Sequence, residues 1–459
     1  MFVICLVLLS TSARAQVGNS QIFTLEQALQ YALDHYPTVR AALDQVTASA
    51  ANVAVAKTAY LPRFDSLWQT NRATANNIFG QLLPQSVIPS LSGPVLPSAS
   101  ADSVWGSAVG GLLSWEPFDL GLRSAMVREA EAGVGRARAE EGLTRLAVQS
   151  AVGAAFLAVV SAQQALTAAE GDVQRRDVLA RAAHTLVDNQ LRPGAEASRA
   201  DAELAAARTR VIQARQSLIV GQITLARVLG IAGGSVAVDA TRLLESPLAA
   251  APPPPTPDHP LLRIGQATVD LARARGAVLA KTDRPRIYLQ SSVFARGSGA
   301  NPDGVFDGGA NGLGLERANW AAGVQVVFPN LFDFASLRAR RAGADAVVHA
   351  EMARYDEAML NVTSQQRTAD AVVDAARAIA QNTPVQLTAA QQSESQARAR
   401  YEAGLAGITE VAEAQNLLVG AEYQDVSARV EVWRALLARA VAQGDLASFI
   451  EVLRGSERR

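Results

Sequence analysis

A proline-bounded block of 25 residues occurs twice in this chain, and it limits the possible folds more than any other feature. Pro37 and Pro62 mark the first copy; Pro260 and Pro285 mark the second, 223 residues later. Arg40 and Arg263 stand three residues inside their blocks, and Arg63 and Arg286 directly follow the closing prolines. Between the prolines both copies are rich in Ala and Val, polar at intervals, and free of proline. Each reads as one uninterrupted helix of roughly 6–7 turns. Proline suits the first helical turn, and the next proline stops the helix. A spacing of 223 is too long for a solenoid unit. It predicts a duplicated chain, each half ordered helix, strand, loop, strand, long helices. The halves span 16–232 and 258–446. A linker at 233–257, containing Pro252 to Pro255, separates them, and a tail at 447–459 follows.

The first helix before the repeat opens at Thr24, which has capping-box spacing to Gln27, and runs to about His35. Arg63 to Thr70 and Val104 to Trp115 read as strands around a Pro/Ser/Asn loop, the first hairpin spanning 62–118. Ile287 to Phe294 and Trp320 to Phe328 repeat that device around a Gly/Asn/Asp loop, within 285–333. Strands of about 8–12 residues have the length that a tilted membrane strand needs.

Long helices follow each hairpin. Val152, Val159, Leu166 and Val173 recur every seven residues, with Ala155, Ala162 and Ala169 three positions on. Val348, Tyr355, Val362, Ala369 and Ala376 keep that spacing in the second half. Leu204, Val211, Leu218 and Leu225, then Val426, Val430, Trp433 and Leu437, continue it in the returning helices. Such seams bury side chains against other helices. With aromatics at only 5%, long packed helices are favoured over a compact core of large side chains. Gly171 and Pro384 interrupt the long helices at matching places and predict bends there.

Phe2 to Leu9 followed by Ala13-Arg14-Ala15 reads as a secretory signal over 1–15, although Met1 alone precedes the apolar run. Cys5, the single cysteine, lies inside it. Beyond it, the best apolar stretch, Ala147 to Ala165, carries Gln149, Gln163 and Gln164, so a membrane crossing would use strands. A net charge of −1 gives no electrostatic case for nucleic acid. His35, His184, His259 and His349 form no metal-ligand spacing. No phosphate-binding glycine loop or nucleophile elbow occurs, so neither an enzyme nor a cofactor is expected.

Taken in order, these words resemble the TolC-type outer-membrane efflux proteins over about Phe23 to Leu446. The resemblance is carried by Thr24-Leu25-Glu26-Gln27-Ala28-Leu29, by the Leu61-Pro62 helix end, and by Pro117-Phe118-Asp119 and Leu331-Phe332-Asp333. Tyr401-Glu402-Ala403-Gly404-Leu405 before Glu410-Val411 completes it. It implies a homotrimer in the outer membrane of a Gram-negative bacterium, with long coiled-coil helices in the periplasm. Four strands per chain would complete a 12-stranded barrel. It also implies an exit duct serving a periplasmic adaptor and an inner-membrane pump of RND or ABC type, in tripartite efflux or type I secretion. Independently, four strands cannot close a barrel without free edges, so membrane strands here require oligomerisation. The rival class is a non-pore periplasmic coiled-coil adaptor or scaffold, which would have one helical hairpin framed by compact β domains.

The resemblance further places a periplasmic gate at the helix-to-helix turns, Asn189 to Arg199 and Tyr401 to Glu413. Tyr401, Gly404, Glu410 and Glu413 match its acidic entrance; Arg192, Gly194, Glu196 and Arg199 form the paired turn. Two glutamates per chain would ring the opening with six carboxylates, which attract cations. Ala406 stands where the family commonly has a basic residue, so any locking cation must be Arg192.

Overall fold

The computed structural model describes residues 22–74, 83, 85–88, 102–234, 236–244, 258–301, 305, 309–329 and 332–455. The signal-like segment, Leu331 and the run of four prolines lie outside the described residues. Strand β1 (Ile22–Phe23), α1 (Leu25–His35) and α2 (Pro37–Thr58) open the fold. Next come β2 (Arg63–Thr74), β3 (Ser103–Phe118), α3 (Leu122–Asp188) and α4 (Gly194–Leu229). After β4 (Ala237–Val238) and a 3-10 turn (Thr241–Leu244), that order of elements returns. It runs α5 (Pro260–Leu279), β5 (Arg286–Ser298), β6 (Arg317–Val327), α6 (Phe334–Glu402), α7 (Ile408–Gln443) and α8 (Ala447–Gly455).

The expected boundaries hold at the helices and shift at the strands. Thr24 caps α1, with its side chain accepting from Gln27 N and the Gln27 side chain accepting from Thr24 N, so the capping box is complete. Pro37 and Pro260 are each the first helical residue of their blocks. Pro384 lies inside α6, which continues across it. All four long strands exceed the lengths read from the sequence. Many of the added residues are polar; Asn71 to Thr74, for example, pair with Ser103 to Gly106, where apolar alternation gives no signal. Part of the expected linker is folded: β4 pairs parallel with β1, and Val236, Val238 and Leu243 are buried. The residues read as a tail form α8, whose Phe449 and Leu453 are core.

The chain divides into two compact units, each drawing segments from both halves of the sequence. One comprises Met1–Leu43, Glu140–Arg263 and Ala358–Arg459. Its core joins Leu25, Ala28 and Leu29 of α1 to Val152, Phe156 and Val159 of α3, Leu225 and Leu229 of α4, and Trp433 and Leu437 of α7. The predicted heptads supply many of these positions. Gly153 sits directly under Leu437, where a Cβ would come within 2.7 Å of a Leu methyl, so α3 and α7 approach closely. One stretch of α3 is long and apolar enough to cross a membrane by composition, but Val152, Phe156, Leu157, Val159 and Val160 within that helix belong to this core.

The other unit comprises Asp44–Ala139 and Ile264–Glu357. Its centre is a four-stranded antiparallel sheet in the order β2-β3-β5-β6. Side chains alternate between faces along each strand. The register therefore places Phe64, Trp68, Val109, Leu113, Val293, Trp320, Val324 and Val326 together on one face. That face is exposed, with Trp320 at 78%. The other face carries Asp65, Gln69, Asn71, Ser114, Gln290, Ser292, Arg296 and Gln325. Ile88 covers Ala108 and Phe294 on this polar face. A sheet with an apolar exposed face and a polar opposite face has the pattern of a membrane strand set, apolar toward lipid and polar toward a lumen.

Candidate functional site

Two helix-to-helix turns, α3 to α4 and α6 to α7, have the same backbone design. Leu191 N donates to Leu186 O and Leu405 N donates to Arg400 O, both at 2.8 Å. Gln190 N to Val187 O and Gly404 N to Tyr401 O match likewise at 2.9 and 3.0 Å. These pairs of bonds are the six-to-one and five-to-two closures of a helix end. Such an end needs one left-handed residue. Gly404 supplies it with φ 77°, and in the first turn Gln190 does so with φ 59°. Gly194, expected in the first turn, instead opens α4 with nothing packed above it. The sequence missed Gln190 because glutamine carries no signal for positive φ.

Arg192 joins the two turns. Its Nη2 donates to Ala406 O at 3.0 Å and to Tyr401 O at 3.5 Å, and its guanidinium lies 5.2 Å from the Tyr401 ring centroid. Its Nη1 is 3.7 Å from Glu196 Oε1. Tyr401 closes the circuit by donating its hydroxyl to Glu196 Oε2 at 3.2 Å. Tyr401 is 2% exposed and packs with Leu179, Ala183, Leu204, Ile408 and Val411. Burial, and after it the Glu196 carboxylate, push its hydroxyl pKa above the ordinary tyrosine value, so the donor proton is retained. Arg192, the cation the sequence offered for this place, thus joins the two turns, and its main acceptor is the backbone carbonyl of Ala406.

The acidic pair is placed differently. Glu410 and Glu413 are both exposed in the first turns of α7. Glu410 Oε1 lies 3.1 Å from Arg400 Nε, whereas Glu413 has no ion pair among the described residues. Arg199, exposed on α4, likewise has none. Arg400, which sequence reasoning passed over, therefore neutralises one of the two carboxylates within its own chain. Nearby, His184 Nε2 bridges to Asp201 at 2.9 Å between α3 and α4. That hydrogen bond raises the His184 pKa above its ordinary value.

Further along α3 lies a buried polar cluster outside the heptad positions. Arg176 and Asp172 are each 1% exposed by side chain and joined at 2.9 Å. Arg176 also donates to Glu203 Oε2 at 2.8 Å and Asn416 Oδ1 at 2.7 Å, and Arg210 reaches Asp172 at 2.7 Å. The i,i+4 spacing of Asp172 and Arg176 was the available signal. Among the described residues no group of His, Cys, Asp and Glu is arranged to hold a metal.

The family model described as outer membrane efflux protein matches residues 28–231 and 258–442. Protein CyaE of Bordetella pertussis is 27% identical over 443 residues, covering 92% of this chain and 84% of that protein. The crystal structure of the outer membrane protein VceC from Vibrio cholerae is similar, with TM-score 0.73 and 17% identity, covering 92% of this chain and 96% of that one. The CmeC outer membrane channel of Campylobacter jejuni aligns with TM-score 0.71 and 14% identity, over 94% and 89% of the two chains.

Proposed function

The chain belongs to the outer membrane efflux protein family, and from that premise we propose that it is a passive outer-membrane exit duct of a tripartite efflux or type I secretion system. The observation that carries this reading is the sheet, apolar on its exposed face and polar on the other, combined with the family match over both halves. Three chains would bring their four strands into one barrel of 12, because among the described residues nothing in a single chain pairs with the outer edges of β2 and β6. A non-pore scaffold gives no reason for an exposed row of Trp68, Trp320, Val293 and Val324.

Solutes would enter at the helix tips. Tyr401, Gly404, Glu410 and Glu413 with Arg192, Gly194, Glu196 and Arg199 form the proposed entrance, and Arg192 with Tyr401 ties its two turns together. The periplasmic adaptor would meet these tips, and an inner-membrane pump would supply the energy. Fold alone does not name the cargo. Single-channel recording in planar bilayers tests the reading. The wild-type protein should conduct weakly, and the Arg192→Ala/Tyr401→Phe variant should conduct at least several-fold more. A protein that never conducts, even in that variant, contradicts the duct.

A further inference from the structure

We infer that the start of α6 is a docking surface for anionic phospholipid headgroups on the helix side of the membrane. The inference rests on the reading of β2, β3, β5 and β6 as membrane strands. Phe328, Phe332 and Phe334 follow β6 and are exposed, Phe332 at 86% and Phe334 at 70%. Bare aromatic rings just past a strand whose outer face is Trp320, Val324 and Val326 suit the border between acyl chains and headgroups. Three arginines come next, Arg338, Arg340 and Arg341. Arg341 is held by Asp283 at 3.1 Å. Arg338 and Arg340 are exposed and have no partner among the described residues.

The fold does not account for these cations. At the matching points of the first half, 214 residues earlier, stand Ser124, Met126 and Val127. That half does own an arginine, Arg123, but it is 5% exposed and serves the fold. Its Nε meets Asp119 at 3.1 Å, its Nη1 donates to Ala59 O at 3.1 Å, and it lies over the Tyr60 ring. The counterpart of Arg123 is Leu337, and the exposed Arg128 of the first half donates to Ser124 Oγ at 3.5 Å, so among the described residues it is the helix start of the second half that carries unpartnered arginines.

Distance decides what these cations can meet. Arg338 lies one helical turn beyond Phe334 on the same face, roughly 6 Å along the axis. Headgroups occupy about 5–7 Å beyond the hydrocarbon on each side. With Phe334 at the border, the Arg338 guanidinium stands level with phosphates, and Arg340, about 9 Å along the axis, can reach back to them because helical side chains lean toward the helix N-terminus. Each basic side chain near an anionic surface contributes about 1 kcal/mol, so the pair corresponds to about thirtyfold in affinity.

The test uses the full-length protein inserted into vesicles of phosphatidylcholine with a minor fraction of phosphatidylglycerol, and counts the lipids retained after extraction by native mass spectrometry. The wild type should retain phosphatidylglycerol well above its bulk fraction. Arg338→Gln/Arg340→Gln should lose at least tenfold of that enrichment, while Arg354→Gln, about 30 Å beyond Phe334 and more than a Debye length away, should keep it. Insertion without phosphatidylglycerol enrichment, or equal enrichment in the double variant, overturns the inference and leaves the membrane reading intact. Preference for vesicles containing lipid A over phosphatidylglycerol overturns the assignment to phospholipid. Failure to insert into either vesicle overturns both.

Discussion

At Arg192 one guanidinium reaches the Ala406 carbonyl, the Tyr401 ring and the Glu196 carboxylate, and so couples two turns far apart in sequence. Charge-assisted bonds to a backbone acceptor survive changes of side chain across the contact, which is why a neutral Ala406 is compatible with this link between the turns. Sequence matching could name Arg192 but not its acceptor, because a carbonyl leaves no mark in side-chain text. The left-handed Gln190 was hidden for a related reason. A non-glycine residue in that conformation is disfavoured by about 1–2 kcal/mol, and glycine returns part of this as added freedom of the unfolded chain. Gln190→Gly should therefore stabilise the first turn by about 0.5–1 kcal/mol, read as slower amide exchange at Leu191. His184 offers a pH readout. Its folded pKa is raised by Asp201, so the link between α3 and α4 is complete below the ordinary histidine range and is lost as pH rises through the raised value. A proton titration followed by NMR should show that elevation and its disappearance in Asp201→Asn.

At the scale of elements, helix text was legible and strand ends were not. Proline at Pro37 and Pro260 and the capping box at Thr24 state where helices begin, and heptads state which face is buried. Strand ends are set by partners instead: Asn71 to Thr74 extend β2 only because Ser103 to Gly106 lie opposite. β3 likewise runs on through Glu116 and Pro117, with a register shift between Trp115 and Phe118 that absorbs the proline. The buried Asp172–Arg176 cluster escaped the heptad view because a seam predicts apolar filling. Removing one side of such a pair leaves a charge without its partner in the interior. Arg176→Ala should cost about 3–5 kcal/mol, seen as a lower melting temperature in detergent. The double variant with Asp172→Ala should cost clearly less than the sum of the two single losses.

For the whole molecule, the repeated order of helix, strand pair and long helices was legible, and the number of chains was not written in any one of them. Among the described residues the four strands leave β2 and β6 with open edges, and an open edge in hydrocarbon leaves backbone groups without partners. The proposed closure by three copies would remove those edges and set the polar faces toward a common lumen. Native mass spectrometry of the detergent-extracted protein measures this most directly. The mass of three chains is predicted at every concentration at which the micelle-bound protein stays intact; a stable single chain in the micelle, or a single chain that is soluble without detergent, would contradict it.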